Sequence, residues 1–279
     1  MAVWHIVSDT SCDLFTLEGG EGVFDFATIP FTIRIGETEY IDDDSMSVEE
    51  MLTANENHAE MAQTSCPSPE DWREKFEAPG PVLAFTISSA LSGSYNSACA
   101  AKAMILEDEP DKQIAVIDSK GTGPEVAAAV LRAREMVLAG KSFDEIEKEL
   151  NRTVEETHIV FALASYRNLI KAGRVSRLVG FIAGHLGFWG IGIGDENGQI
   201  AVRGKARGDK SMIRQMVDEI KKIGLAFGTI RIHHCVNEEG AAALMRSLKA
   251  AFPEAGIAVM PTRGLDSFYA ERQGLIVSF

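Results

Sequence analysis

The chain has 279 residues, of which 46% are apolar and 24% charged, and its net charge is −14. That size allows one large or two modest cores, while the acidic surplus argues against a nucleic-acid surface, which needs clustered Lys and Arg, and against docking on anionic membranes. No run approaches the roughly 18–20 apolar residues of a bilayer span, so stable membrane insertion is not expected.

Residues 3–7 read as a buried strand that ends in the polar turn Ser8-Asp9-Thr10-Ser11. No basic leader precedes it, so no signal peptide is expected. Ser68-Pro69-Glu70-Asp71 is a helix start, with an N-cap serine, proline at the first helical position and acids in the first turn. Trp72, Lys75 and Phe76 continue it as a short amphipathic helix. Residues 82–87 form a second apolar strand. The segment Ser88-Ser89-Ala90-Leu91-Ser92-Gly93-Ser94 then leads into a helix over about 95–106. A third strand at 114–117 and helices near 124–138 and 143–156 follow. Strands alternating with helices imply a mostly parallel sheet covered on both faces.

From about residue 158 the rhythm changes. Residues 159–163 read as a strand, 166–171 as a helix, and 188–194 with 199–203 as a hairpin around Asp195-Glu196-Asn197-Gly198. A helix at 210–226, a strand at 229–233, a helix at 238–252 and strands at 257–260 and 275–279 complete the chain. A hairpin mixed with helices indicates an α+β unit with a mixed sheet. The expected division is therefore 1–157 and 158–279. The four cysteines (Cys12, Cys66, Cys99, Cys235) are scattered without a CxxC pair, as in a reducing cytoplasm.

Ligands of open parallel sheets bind at the carboxyl ends of strands. Two such ends carry hydroxyl clusters, Asp9-Thr10-Ser11 and Ser88 to Ser94, and a third cluster, Thr64-Ser65, precedes the helix that starts at Ser68. Ser92-Gly93 lies just before a helix, so its free backbone N–H groups suit a carboxylate or phosphate. The same hydroxyls also serve as helix and turn caps. In Trp189-Gly190-Ile191-Gly192-Ile193-Gly194 the three glycines leave one strand face bare, to be filled by a closely packed helix or by a slender apolar ligand. Phe181, Ile182 and Leu186 lie just upstream of that slot. The basic loop Lys171-Ala172-Gly173-Arg174-Val175-Ser176-Arg177 offers Arg174 to an anionic head group or a partner, or simply ends a helix.

Enzyme signatures are scarce. There is no GxSxG elbow, no Walker A loop, and no GxGxxG at a strand-to-helix junction. Asp9 and Asp13 are four apart, not in DxD spacing. His233-His234-Cys235 puts neighbouring side chains on opposite strand faces, which favours structural roles over a metal site. No cofactor is expected.

Taken in order, several segments resemble the DegV family of fatty-acid-binding proteins. They are Val7-Ser8-Asp9-Thr10-Ser11-Cys12-Asp13-Leu14, Thr64-Ser65-Cys66-Pro67-Ser68-Pro69, and Ile87-Ser88-Ser89-Ala90-Leu91-Ser92-Gly93-Ser94-Tyr95. Val116-Ile117-Asp118-Ser119, Ala172-Gly173-Arg174-Val175-Ser176 and Val202-Arg203-Gly204-Lys205-Ala206-Arg207-Gly208 continue the series. The resemblance implies a Rossmann-like three-layer α/β N-terminal domain and a two-layer α/β C-terminal domain with a mixed sheet. It also implies a long-chain fatty acid buried between or beneath them. By the same resemblance Thr64, with Ser65 beside it, and Ser92 with the Gly93 amide hold the carboxylate, with Ser89 as second choice. Arg174 is expected near the head group and the docking surface of a separate kinase subunit, to which the carrier presents the acid. The family's C-terminal His-x-Gly-Pro-Gly segment is replaced here by Pro261-Thr262-Arg263-Gly264-Leu265-Asp266, so Thr262 or Arg263 is the expected substitute for the histidine. A hydrolase or phosphotransferase working through Ser89 or Ser92, with Asp9 as base, and a carboxylate-sensing regulatory module are the competing readings.

Overall fold

The computed structural model describes residues 3–58, 62–175, 187–225 and 228–279. Ser176, Arg177, Phe181, Ile182 and Leu186, to which the sequence attaches expectations, lie outside the described residues.

The first sheet consists of β1 (Trp4–Asp9), β2 (Phe24–Ile29), β6 (Val82–Thr86) and β7 (Ile114–Asp118), all parallel in the order β2-β1-β6-β7. Its central strands are apolar at consecutive positions because both faces are covered. Ile6, Leu83 and Phe85 pack on one side against α4 (Pro124–Leu138) and α5 (Phe143–Glu156). Val7, Val82 and Ala84 pack on the other against α2 (Pro69–Phe76) and α3 (Ser94–Asp108), through Trp72, Phe76, Ala98 and Ala101. The start of α2 follows the sequence: Ser68 Oγ accepts from Asp71 N, and the Asp71 carboxylate accepts from Ser68 N at 2.7 Å.

The second sheet has the order β10-β9-β8-β13-β11-β12. Its strands are β8 (Ile159–Leu163), β9 (Phe188–Gly194), β10 (Ile200–Arg207), β11 (Thr229–His234), β12 (Gly256–Pro261) and β13 (Leu275–Ser278). Only the β11–β12 pair is parallel, so the sheet is mixed. The second hairpin strand runs past the predicted Arg203 to Arg207 because a bulge between Val202 and Gly204 re-phases the pairing. One face packs on α7 (Asp209–Ile223) and α8 (Glu238–Ala251). α7 stops three residues short of the predicted end, at Gly224 with φ of 93°.

Residues 24–57 are organised in ways the sequence reading left blank. β3 (Thr32–Ile35), β4 (Thr38–Ile41) and β5 (Ala62–Ser65) form a small antiparallel sheet, and α1 (Val48–Asn57) follows β4. Two short helices, α6 (Arg167–Lys171) and α9 (Gly264–Ala270), and a 3-10 turn at Thr10–Cys12 complete the described elements. Ile33, Met51, Leu52 and Phe268 pack against Ile159, Phe161, Leu163 and Ile276 on the inner face of the second sheet. The first sheet's strand ends and this inner face therefore enclose a space between them.

The bare face of the glycine strand is filled by its neighbour. The Phe161 ring of β8 lies where a Cβ on Gly192 would sit, and Ile159 covers Gly194. The hairpin tip bonds across to the first sheet, where Ser88 Oγ donates to the Gly198 carbonyl at 2.8 Å.

Candidate functional site

The enclosed space is a cavity of about 380 Å³, within the range of about 300–1,000 Å³ usual for small-molecule sites. It continues into a narrower lobe of about 60 Å³. The two parts share Leu91, Thr122, Leu169, Ile200, Asp266 and Tyr269. Their chemistry differs by end. The wider part brings together Thr64, Ser65, Cys66, Ser92, Gly93 and Arg174. The narrow lobe is walled by Ile159, Phe161, Leu163, Leu169, Ile276 and Gly194.

Local structure explains the polar end. β5 pairs with β3 and sets Thr64 opposite Ile33, half-buried, with its Oγ1 2.8 Å from the Tyr269 hydroxyl. The Ser88–Gly93 segment closes as a turn, in which Leu91 N and Ser92 N both donate to Ser88 O at 3.0 and 3.1 Å. Gly93 then stands at the N-cap of α3 with no side-chain cap. A helix start without a cap leaves amides open to an acceptor and adds a favourable dipole for an anion. Ser92 Oγ accepts from Ser94 N at 3.3 Å and keeps its own proton available to donate. Exposed Arg174 stands at the rim.

Three predicted residues are placed elsewhere. Ser89 is exposed and turned to Asp118, its Oγ 2.5 Å from Oδ2 and its N 3.0 Å from Oδ1. Thr262 donates to His234 O at 3.3 Å and pairs with Ser267 Oγ at 2.6 Å. Arg263 is buried on the far side of α9, where Nη1 donates to Leu14 O at 2.9 Å and Nη2 to Asp42 O at 3.0 Å. Its guanidinium lies 4.3 Å from the Phe15 ring centroid. Neither Thr262 nor Arg263 lines the cavity among the described residues. The physical reason is that the turn into α9 is held by Asp42, which accepts from Gly264 N and Leu265 N and draws Arg263 away.

The polar residues that α9 does bring to the cavity, Asp266 and Tyr269, carry no local motif, and neither does Thr122. Tyr269 meets Thr64 across 205 positions of chain, and Asp266 meets Thr122 across 144. Thr122 Oγ1 donates to Asp266 Oδ1 at 2.5 Å. Behind Asp266, His233 Nδ1 lies 2.7 Å from Asp13 Oδ2. Burial drives the His233 pKa down to about 3 and pushes the Asp266 carboxyl well above the usual carboxylate range.

Asp9, the candidate base, is fully engaged in structure. It accepts from Ser11 Oγ, Ser94 Oγ and Ile87 N at 2.5, 2.6 and 3.1 Å. Burial still raises it to about 6. Its hydrogen bonds go to neither Ser89 nor Ser92, and His234 accepts from Asn237 N. Among the described residues no cluster of three His, Cys, Asp or Glu is arranged to hold a metal ion. No helix there is long and apolar enough to cross a membrane.

This fold recurs in known proteins. The fatty acid kinase B3 protein of Streptococcus pneumoniae, solved loaded with linoleic acid, superposes with a TM-score of 0.95 at 36% identity, covering 99% of both chains. A DegV family protein of Eubacterium eligens loaded with heptadecanoic acid gives 0.93 at 34% identity, again over 99% of each chain. A DegV domain-containing protein of Streptococcus pneumoniae strain R6 is 36% identical over 276 residues, which is 99% of this chain and 98% of that one. The DegV family model itself matches residues 3–269. With nearly the whole length matched, the chain belongs to the DegV family.

Proposed function

We propose that this chain carries one long-chain fatty acid and presents its carboxylate to a separate kinase, without chemistry of its own. The observation that carries this reading is the polarity of the cavity from end to end. Thr64, Ser92, the Gly93 amide and Tyr269 converge as uncharged donors at one end, and Phe161, Leu163 and Ile276 line the other. Uncharged donors at a helix start suit a carboxylate. An apolar tail gains about 0.8 kcal/mol per buried methylene, so about ten methylenes supply about 8 kcal/mol, enough for micromolar binding. The bound acids of the Streptococcus pneumoniae and Eubacterium eligens proteins support the same ligand class here.

Ser65 flanks Thr64 at the exposed edge of this end, and Arg174 marks the rim where the kinase docks. The walls draw residues from both 1–157 and 158–279, which supports a ligand held at the seam of two such domains. The site of action is the cytoplasm, where such a kinase finds its nucleotide. Solvent extraction of the purified protein followed by mass spectrometry tests the carrier reading: one acid per chain is expected. A protein that comes off empty and takes up no added acid overturns it.

A further inference from the structure

We propose that Asp266, sharing a single proton with Asp13, is a positioning residue that fixes α9 and so holds Tyr269 against Thr64 at the carboxylate end of the cavity. This rests on the carrier reading above for what the cavity holds. The geometry begins at Gly123, whose backbone has φ of 56°. A Cβ built there lies 3.0 Å from Asp266 Oδ2, 3.2 Å from Asp13 Oδ2 and 3.5 Å from His233 Nδ1, so the three polar atoms converge on one bare Cα. Only glycine leaves that room, and only glycine takes that backbone conformation without strain.

The proton assignment follows from the partners. Asp13 Oδ1 accepts from Arg263 N at 2.6 Å, and Oδ2 accepts from His233 Nδ1. His233 is neutral, since burial drives its pKa down to about 3, and its buried Nε2 has no partner, so its proton sits on Nδ1. Asp13 is therefore surrounded by donors and is the ionised member. Asp266 Oδ1 accepts from Thr122, whereas Oδ2 is buried and finds no donor. A buried carboxylate oxygen beside another carboxylate stays there as an acid, donating its proton.

The other charged groups around the pair agree. Asp42, beyond β4, repels a charge on Asp266; Arg263 at the start of α9 is turned to Asp42; Arg231 stands behind His233; and burial pushes the Glu125 carboxyl at the start of α4 well above the usual carboxylate range. Asp266 and Tyr269 are three apart on α9 and share a helix face. Loss of the proton sets two buried carboxylates against each other and drives that face off the cavity.

The test compares wild type with Asp266→Asn, whose amide can donate to Asp13 and accept from Thr122. Binding of radiolabelled cis-9-octadecenoic acid is measured at pH 7 and at pH 9.5, alongside thermal melts of the ligand-free proteins. Wild type is expected to lose about tenfold or more in affinity between the two pH values, and Asp266→Asn about twofold or less. The Asn variant's melting temperature should likewise fall less across the same range. Equal pH dependence of both proteins in binding and in melting overturns the inference. If wild type binds no acid at either pH, the carrier reading is overturned instead, and the melts alone decide whether Asp266 holds the proton.

Discussion

Replacing Arg263 by methionine separates an architectural arginine from a ligand-binding one. The side chain is 1% exposed and donates to Leu14 O and Asp42 O, with Nε 3.7 Å from Asp42 Oδ1. Methionine fills most of the volume but leaves two carbonyls without donors, each costing about 1–3 kcal/mol. It also strips the buried Asp42 carboxylate of its counter-charge, although Gly264 N and Leu265 N remain bonded to it. Breaking a buried ion pair from one side costs about 3–5 kcal/mol, and the two penalties overlap because they concern the same desolvated group. The expected loss is about 3–5 kcal/mol. At about 2–4 °C per kcal/mol for a chain of this size, the melting temperature falls by about 6–20 °C. Calorimetry measures this, and fatty acid content per folded molecule is measured on the same samples below the transition. An Arg263→Lys variant should fall between, since one ammonium reaches one carbonyl but cannot span both or stack on Phe15. A variant that melts within about 2 °C of wild type, yet loses its bound acid, refutes the placement of Arg263 and restores it to the carboxylate end.

Thr64→Val and Tyr269→Phe should each weaken acid binding by about two- to tenfold, the worth of a neutral hydrogen bond of about 0.5–1.5 kcal/mol. The double variant should be no worse than the stronger single one, because both act on one contact; additive losses in a binding titration contradict this. Gly192→Ala should destabilise by about 1–3 kcal/mol through collision with the Phe161 ring, and Phe161→Leu in the same chain should recover most of it in denaturant melts. Asp9 should titrate near pH 6 in carboxyl-resolved NMR, well above its ordinary 3.8. Its native pKa is the raised one, so its contribution to stability is greatest below about pH 4 and declines as pH rises through about 6; titration near pH 4 refutes the burial argument.

The sequence disclosed what short-range physics writes into it. The Ser68 N-cap of α2, the Pro124 start of α4 and the Asp195–Gly198 hairpin signal sit where they were expected, since each depends on residues within four positions. The parallel sheet was legible from consecutive apolar residues bounded by turns. Residues 24–57 were not, for two reasons. β3 and β4 hold four residues each, and β4 reads exposed, exposed, half-buried, exposed, without the alternation that marks a strand. Helix α1 does have a serine cap and acids in its first turn, and buries Met51, Leu52 and Asn55, a face too narrow to announce itself.

The polar end of the cavity shows the limit more sharply. Thr64, Ser92 and Gly93 stood out because hydroxyls and glycine at strand and helix ends have a chemical meaning that needs no partner. Tyr269 and Asp266 have none until the chain has folded, because each is defined by a residue far away: Tyr269 by Thr64, Asp266 by Thr122 and Asp13. Arg263 misled for the same reason. A cation next to an expected anion site looks like a ligand for it, yet the nearer demand came from Asp42 and from the carbonyls that α9 buries. Where a charged side chain has two possible anions, the one already desolvated by the fold wins it, because an unpaired buried carboxylate costs more than an acid head group held by neutral donors. On that ground the neutral set of Thr64, Ser92, Gly93 and Tyr269 at the polar end of the cavity is a consequence of the fold: the arginine was needed elsewhere.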